Sequence, residues 1–528
     1  MPNYQNKYLS LLSAWLLLLC AFSVTANGSQ GISLKNNSLD ITFDRSTGNV
    51  DHWRLPGVKN ADGQLQDMAA PTGQLFALQG QLAGKPLQEW EQLAQGWTLE
   101  QQTSQEVVLS LKSTELPFIL KKTWRLSEHA WRADFDVSLE LPAAHRADGD
   151  HLELQVGPGV GEKPVSGLGM GQSIYSFTQL VYNTAQGVST VRLGGEDEPS
   201  QFSSSSLTDW DWVGLESRYL AMILVPTKAS QKPLQWTAKA PEQSESKQMP
   251  TSFLTSIFIE LPIEQSQELS KQTYSWNVFG GGKAYGALTE ANPDLGGVLF
   301  SGLWDWLRGL SLFIMKVLQF IHAVIGSWGL SIILLAVLVR LAMYPIAKNA
   351  MTAQKKFALV QARLQPQLED IRRRYKGGEQ SERILELYES NNVSPLAGMK
   401  PLLIILIQVP VFVSLYHLLG QTFELRDASF LWIKTLAEPD QLFSWGVDLP
   451  VLGAYFNLLP VLMTLTTLLS IKVASVSGAK TSTSENIVSL IMGLVFFVLF
   501  YSFPAGMVLY WTSVNVFQML HQKIIKVE

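Results

Sequence analysis

The sequence predicts a two-part molecule: an all-β periplasmic super-sandwich, then an α-helical membrane core of five transmembrane helices with a cytoplasmic helical hairpin. Three observations predict it. The 528 residues are 47% hydrophobic and only 16% charged, where an average soluble domain is roughly a quarter charged. Charged residues are frequent up to Asp305 and nearly vanish from long stretches after Lys316. Short alternating segments before that point give way to long uncharged runs after it. The net charge of -5 excludes a broad basic footprint, so no direct nucleic-acid specificity is expected. The single cysteine, Cys20, excludes an internal disulfide framework, a Cys-ligated zinc site and a CxxC redox pair. No cofactor and no metal site is expected.

Residues 1–26 read as a signal peptide or N-terminal anchor: Lys7 precedes an apolar core over 9–24, and Val24-Thr25-Ala26 offers small residues for cleavage. Either reading sends residues 27–295 across a membrane. There, segments such as 39–43, 107–111, 133–139 and 152–156 alternate with period two, which argues for antiparallel strands in a sandwich. Trp210, Trp212 and Trp236 are either sugar-stacking platforms or core and turn aromatics; no pair of catalytic carboxylates can be assigned. Gly280-Gly281-Gly282, Asn292-Pro293 and Gly296-Gly297 read as a linker into the second part. Residues 296–326 are expected to form an amphipathic helix in the membrane interface, with Leu303, Leu307, Leu310, Phe313 and Ile314 apolar, Asp305, Arg308, Ser311, Gln319 and His322 toward the other side, and Trp304 and Trp306 at its start.

Residues 327–528 are the membrane core. Uncharged runs occupy 317–339, 401–419, 449–471 and 486–522. The last, at 37 residues, is too long for one span and carries Pro504-Ala505-Gly506 near its middle, so it reads as a hairpin of two. Ten Lys or Arg stand between Lys348 and Lys400, whereas the loop at 420–448 has only Arg426 and Lys434. The positive-inside rule therefore puts the first loop and the C-terminus in the cytoplasm. In that loop, Phe357, Val360, Leu364, Leu368, Ile371 and Tyr375 recur at helical spacing, Gly377-Gly378 breaks the chain, and Ile384, Leu387 and Tyr388 resume the pattern. This is a cytoplasmic hairpin over 348–399, whose Arg372, Arg373, Arg374 and Lys376 either form a solvated face or dock an acidic partner such as a ribosome.

Arg340 has two readings. It anchors the end of a span over 317–339 and snorkels, or, because Gly326-Ser327-Trp328-Gly329 breaks the helix and apolar residues continue to Ala347, it lies inside a span over 328–347. An intramembrane arginine costs at least ~2.5 kcal/mol and faces a wet cavity where it occurs. Polar groups at helical spacing could line such a cavity or bond helix to helix: Gln408, Ser414 and His417; Thr464, Thr467 and Ser470; Thr512, Asn515 and Gln518.

The run Trp328-Gly329-Leu330-Ser331-Ile332-Ile333, with Val339-Arg340 and Met343-Tyr344-Pro345, resembles the first core span of the YidC/Oxa/Alb family of membrane protein insertases. The likeness extends to Leu364-Gln365-Pro366, Ser394-Pro395-Leu396-Ala397-Gly398, Gln408-Val409-Pro410-Val411-Phe412 and the run from Phe503 to Trp511. Trp212-Val213-Gly214-Leu215-Glu216 and the stretch from Tyr219 to Pro226 resemble the large periplasmic domain of the Gram-negative members. Departures, such as Trp511 where Tyr is common and Ala336 where many relatives carry a hydroxyl, read as a divergent paralogue. The resemblance implies an inner-membrane, multi-pass insertase and folding chaperone with a hydrophilic groove containing Arg340, Gln408, Thr464, Tyr510, Trp511 and Asn515. Its implied partners are newly made membrane proteins, the Sec translocon, a ribosome and membrane lipids. No covalent chemistry is needed, so no enzyme is expected. A small-molecule transporter and a membrane-anchored periplasmic carbohydrate-binding protein are the alternatives.

Overall fold

A computed structural model describes residues 31–60, 62–69, 75–161, 177–207, 209–227, 234–242, 250–263, 270–391, 400–449, 452–476 and 483–524. The leader at 1–26 with Cys20 and the Ser394-Pro395-Leu396-Ala397-Gly398 motif lie outside the described residues.

Alternation builds the β part. In the strand Arg132–Leu141 every second residue is buried, and its partner Ile119–Leu126 follows the same rhythm, as a strand with one face on a core must. Nine strands form one sheet and six another, with a four-stranded sheet alongside. Tyr182 of the nine-stranded sheet and Trp236 of the six-stranded one bring their rings to 5.7 Å, so the inner faces of the two sheets meet. Trp124 stacks on Phe135 at 4.1 Å at the centre of an aromatic core that also holds Trp53, Phe76 and Trp276. One short helix, α1 (Leu87–Leu93), interrupts the strands, and a second, α2 (Tyr285–Ala291), follows them.

One open reading of the sequence is decided here and another is corrected. Trp212 and Trp236 are fully buried and Trp210 nearly so, its Nε1 donating to Leu234 O at 3.0 Å. These rings are core and offer no exposed platform for a sugar. The glycine triplet is no linker, because it ends the 13-residue strand Ser270–Gly282. A Cβ on Gly280 would come 2.7 Å from Trp53, one on Gly281 2.5 Å from Trp131, and one on Gly282 2.6 Å from Phe423. Glycine is used here for close approach.

The helical part contains α3 (Asp305–Ile325), α4 (Trp328–Arg374), α5 (Gly377–Ser390), α6 (Lys400–Gln421), the single turn α7 (Phe423–Arg426), α8 (Leu458–Val476), α9 (Thr483–Phe500) and α10 (Ala505–Ile524). Among the described residues, two helical stretches, Asp305–Ile325 and Trp328–Pro345, are long and apolar enough to cross a membrane. Thus α3, expected to lie in the interface, also meets the length of a span. It packs on α4 and α6 through Leu307, Ile314, Met315, Leu318 and Ile321 and leaves Phe313, Phe320 and Val324 outward.

α4 runs unbroken for 47 residues, so the span expected over 328–347 and the first arm of the hairpin are one helix, with Pro345 and Pro366 inside it. A proline removes one backbone donor and crowds the preceding turn, and flanking turns that remain bonded carry the helix through. α5 folds back on α4. The run expected to span from Leu449 instead begins with two paired strands, Phe443–Leu449 and Gly453–Phe456, and turns helical only at Leu458. The turn at Pro504 separates α9 from α10, as the sequence predicts.

Large apolar residues face outward along these helices: Leu330, Leu334, Leu338 and Leu341 on α4, Leu465 and Leu469 on α8, and Ile491, Leu494 and Val495 on α9. A bundle dissolved in water would carry polar side chains there.

Candidate functional site

Arg340 lies twelve residues into α4, about 18 Å along its axis. It continues the stripe of Ile332 and Ala336, both fully buried. That stripe faces α10, since Ile332 reaches the position a Cβ on Gly506 would occupy, at 3.2 Å. The guanidinium is partly buried and close enough to Tyr510 to interact electrostatically. It has no ion pair or hydrogen bond among the described residues. A cation in this position is an unspent attraction for a polar or acidic group arriving from outside.

The remaining residues singled out in the sequence divide into two groups. α10 packs on α4, α6 and α8, which brings Tyr510, Trp511 and Asn515 to the middle of the bundle. Tyr510 is fully buried, and Trp511 meets Phe412 of α6 edge-on at 5.8 Å and Phe500 of α9 at 5.6 Å. Gln408, on α6, is half-buried. By contrast, Asn515 Nδ2 donates to Thr467 Oγ1 at 2.7 Å, a helix-to-helix bond between α10 and α8. Thr464 and Thr512 donate to the carbonyls of their own helices, Pro460 O at 2.8 Å and Val508 O at 2.7 Å. Ser414, on α6, has a buried hydroxyl without a partner among the described residues.

The end of the bundle nearest the β part is closed by polar contacts that single-sequence reading missed. Asp440 Oδ2 accepts from Leu458 N and Leu459 N, both at 2.9 Å, and from Trp432 Nε1 at 3.0 Å, capping α8 from a loop. Asn457 Nδ2 donates to Tyr501 O at 2.7 Å. Glu424, in α7, is held above the usual carboxylate range by burial, with Gln319 of α3 donating to it at 3.3 Å. Asn457 just ahead of an apolar run is a signal that could have been read; Asp440, eighteen residues before Leu458, could not.

At the opposite end, Arg372, Arg373, Arg374 and Lys376 are exposed at the tip of the α4–α5 hairpin, and Arg374 pairs with Asp370 at 2.9 Å. Leu364 and Leu368 are buried in its first arm. Among the described residues, no cluster of His, Cys, Asp and Glu is arranged to hold a metal ion.

Residues 320–528 match the family model described as 60Kd inner membrane protein. A membrane protein insertase YidC of Herminiimonas arsenicoxydans is 34% identical over 221 residues, which is 42% of this chain and 37% of that protein. One from Chlorobium luteolum is 27% identical over 341 residues, 64% of this chain and 55% of that protein. The matched stretches thus span only about a third to a half of these relatives' own lengths. A solved structure described as an active YidC insertase with its first transmembrane domain resolved aligns over 98% of both chains at 16% identity, with a TM-score of 0.35.

Proposed function

We propose that this chain, whose residues 320–528 match the family model described as 60Kd inner membrane protein and which is similar to membrane protein insertases YidC, inserts newly made proteins into the bacterial inner membrane and helps them fold. The observation that carries this reading is Arg340, a partly buried cation without an ion-pair partner among the described residues, set in a bundle whose outer faces are apolar.

In this reading α4, α6, α8 and α10 enclose a wet groove that holds Arg340, Gln408, Thr464, Tyr510, Trp511 and Asn515, open toward the cytoplasm and closed at the end near the β part. A client's polar segment enters, drawn by the guanidinium, while its apolar helix moves along the outward leucines. The notch shortens the path over which polar groups lack water, which lowers the barrier with no bond made or broken. The β part then lies in the periplasm, five helices span the bilayer, and the C-terminus with the α4–α5 hairpin lies in the cytoplasm. Arg372, Arg373, Arg374 and Lys376 would meet the ribosome or anionic lipid headgroups, and the Sec translocon would act alongside for larger clients.

The test is insertion of small single- and double-span proteins in cells depleted of this chain. Insertion stops on depletion and returns with the wild-type sequence; Arg340→Ala restores it about tenfold less well, the scale of one lost charge-assisted contact, and Arg340→Lys restores most of it. Undiminished insertion after depletion sinks the proposal.

A further inference from the structure

The β part meets the helical part through the turn Ser217-Arg218-Tyr219, between the strands Trp212–Glu216 and Leu220–Pro226. The turn is braced from behind. Glu216, 1% exposed, pairs with Lys283 at 3.0 Å and accepts from Gln179 Nε2 at 2.7 Å and Ser301 Oγ at 2.6 Å.

From that turn Arg218, itself buried, spreads three bonds: Nε to Gly420 O at 2.8 Å, Nη2 to Ala437 O at 2.7 Å and Nη1 to Glu438 Oε1 at 2.8 Å. Gly420 belongs to the last turn of α6, whose carbonyls favour a cation. Leu436 O and Glu438 O in turn accept from Gly506 N and Ala505 N, the first amides of α10, both at 2.7 Å. One guanidinium therefore ties the end of α6 to the start of α10, which a planar fork of donors can do and an ammonium cannot. A second contact keeps the parts in register: the Phe423 ring of α7 fills the space that a Cβ on Gly282 would need and sits 5.6 Å from Trp131.

We infer that Arg218 is a positioning residue, through which the β part sets the spacing of α6 and α10 and hence the width of the groove between Gln408 and Tyr510. The inference rests on the insertase reading for its consequence, but its geometry is tested separately. In full-length chain in membranes, with Cys20→Ser, Tyr416→Cys on α6 and Phe503→Cys, two residues ahead of α10, report the spacing of α6 from the start of α10 through a short bifunctional thiol reagent; the native rings are 5.1 Å apart.

Arg218→Gln is expected to slow cross-linking about fivefold or more, given the strength of charge-assisted bonds, and to lower client insertion in parallel; Arg218→Lys recovers part of both. An unchanged cross-linking rate in Arg218→Gln overturns the inference, even where insertion falls. If that variant fails to accumulate, Glu438→Gln, which keeps the two carbonyl bonds, is read instead: a smaller slowing supports the role and none overturns it. Slowed cross-linking in a chain that proves to insert no client supports the positioning role and removes the insertase reading alone.

Discussion

In the strand Arg132–Leu141, Phe135, Val137 and Leu139 point into the core while Arg132, Asp134, Asp136 and Glu140 point away from it. In α4, Ile332, Leu335 and Ala336 point inward, yet Leu334, Leu338 and Leu341 on the other side are apolar too. The strand separates the two kinds of residue because water lies on its far side. The helix does not, as expected of a helix whose surrounding solvent is as apolar as its core, the placement proposed above. One chain thus folds by two conventions, and burial alone does not locate its core unless the surrounding medium is known.

The sharpest way to test that contrast is to remove bulk from the side that depends on water. Trp124→Ala, in the aromatic centre of the β part, is expected to destabilise that part by about 3–5 kcal/mol. Limited proteolysis on heating reads the effect, and an unchanged midpoint would show that the two sheets do not share this core. Next comes a charge on the outward apolar face of α4. Leu338→Arg is expected to cost about 2.5–3.5 kcal/mol of insertion free energy, read as loss of alkali-resistant membrane association; equal association would mean that Leu338 faces water.

The smallest effect lies on the β surface. Lys112 and Lys121 bond to Glu100 and hold its carboxyl well below the usual range, at about 2. A carboxyl depressed on folding contributes stability above its ordinary value, and that contribution fades as pH falls toward 2. The group is solvent-exposed, so Glu100→Gln is expected to remove less than about 1 kcal/mol at pH 7 and only a small part of that at pH 2. A loss that persists undiminished at pH 2 would point to packing as its cause.

Much of this was legible in the sequence, residue by residue. Period-two alternation gave the strands, and Pro504-Ala505-Gly506 marked the turn between α9 and α10. Arg340 stood out because it interrupts an apolar run. Gly280, Gly281 and Gly282 misled because glycine serves turns and close packing alike, and Trp53, Trp131 and Phe423, which require its absence of a side chain, are remote in sequence. Asn515 shares helical spacing with Thr512 and Gln518, but its bond to Thr467 depends on the rotation of α8 against α10, which spacing on one helix leaves open.

The sequence by itself determined the two-part division, the order of strands then helices, and the isolation of one arginine among apolar residues. These are properties of composition and period, which act locally. Only the tertiary structure decided that Arg218 binds Gly420, Ala437 and Glu438, about two hundred residues further along the chain, and that Glu216 meets Lys283 in the interior. Such pairings are set by how sheets and helices pack against one another, and a buried charge finds its partner only once that packing has removed the water.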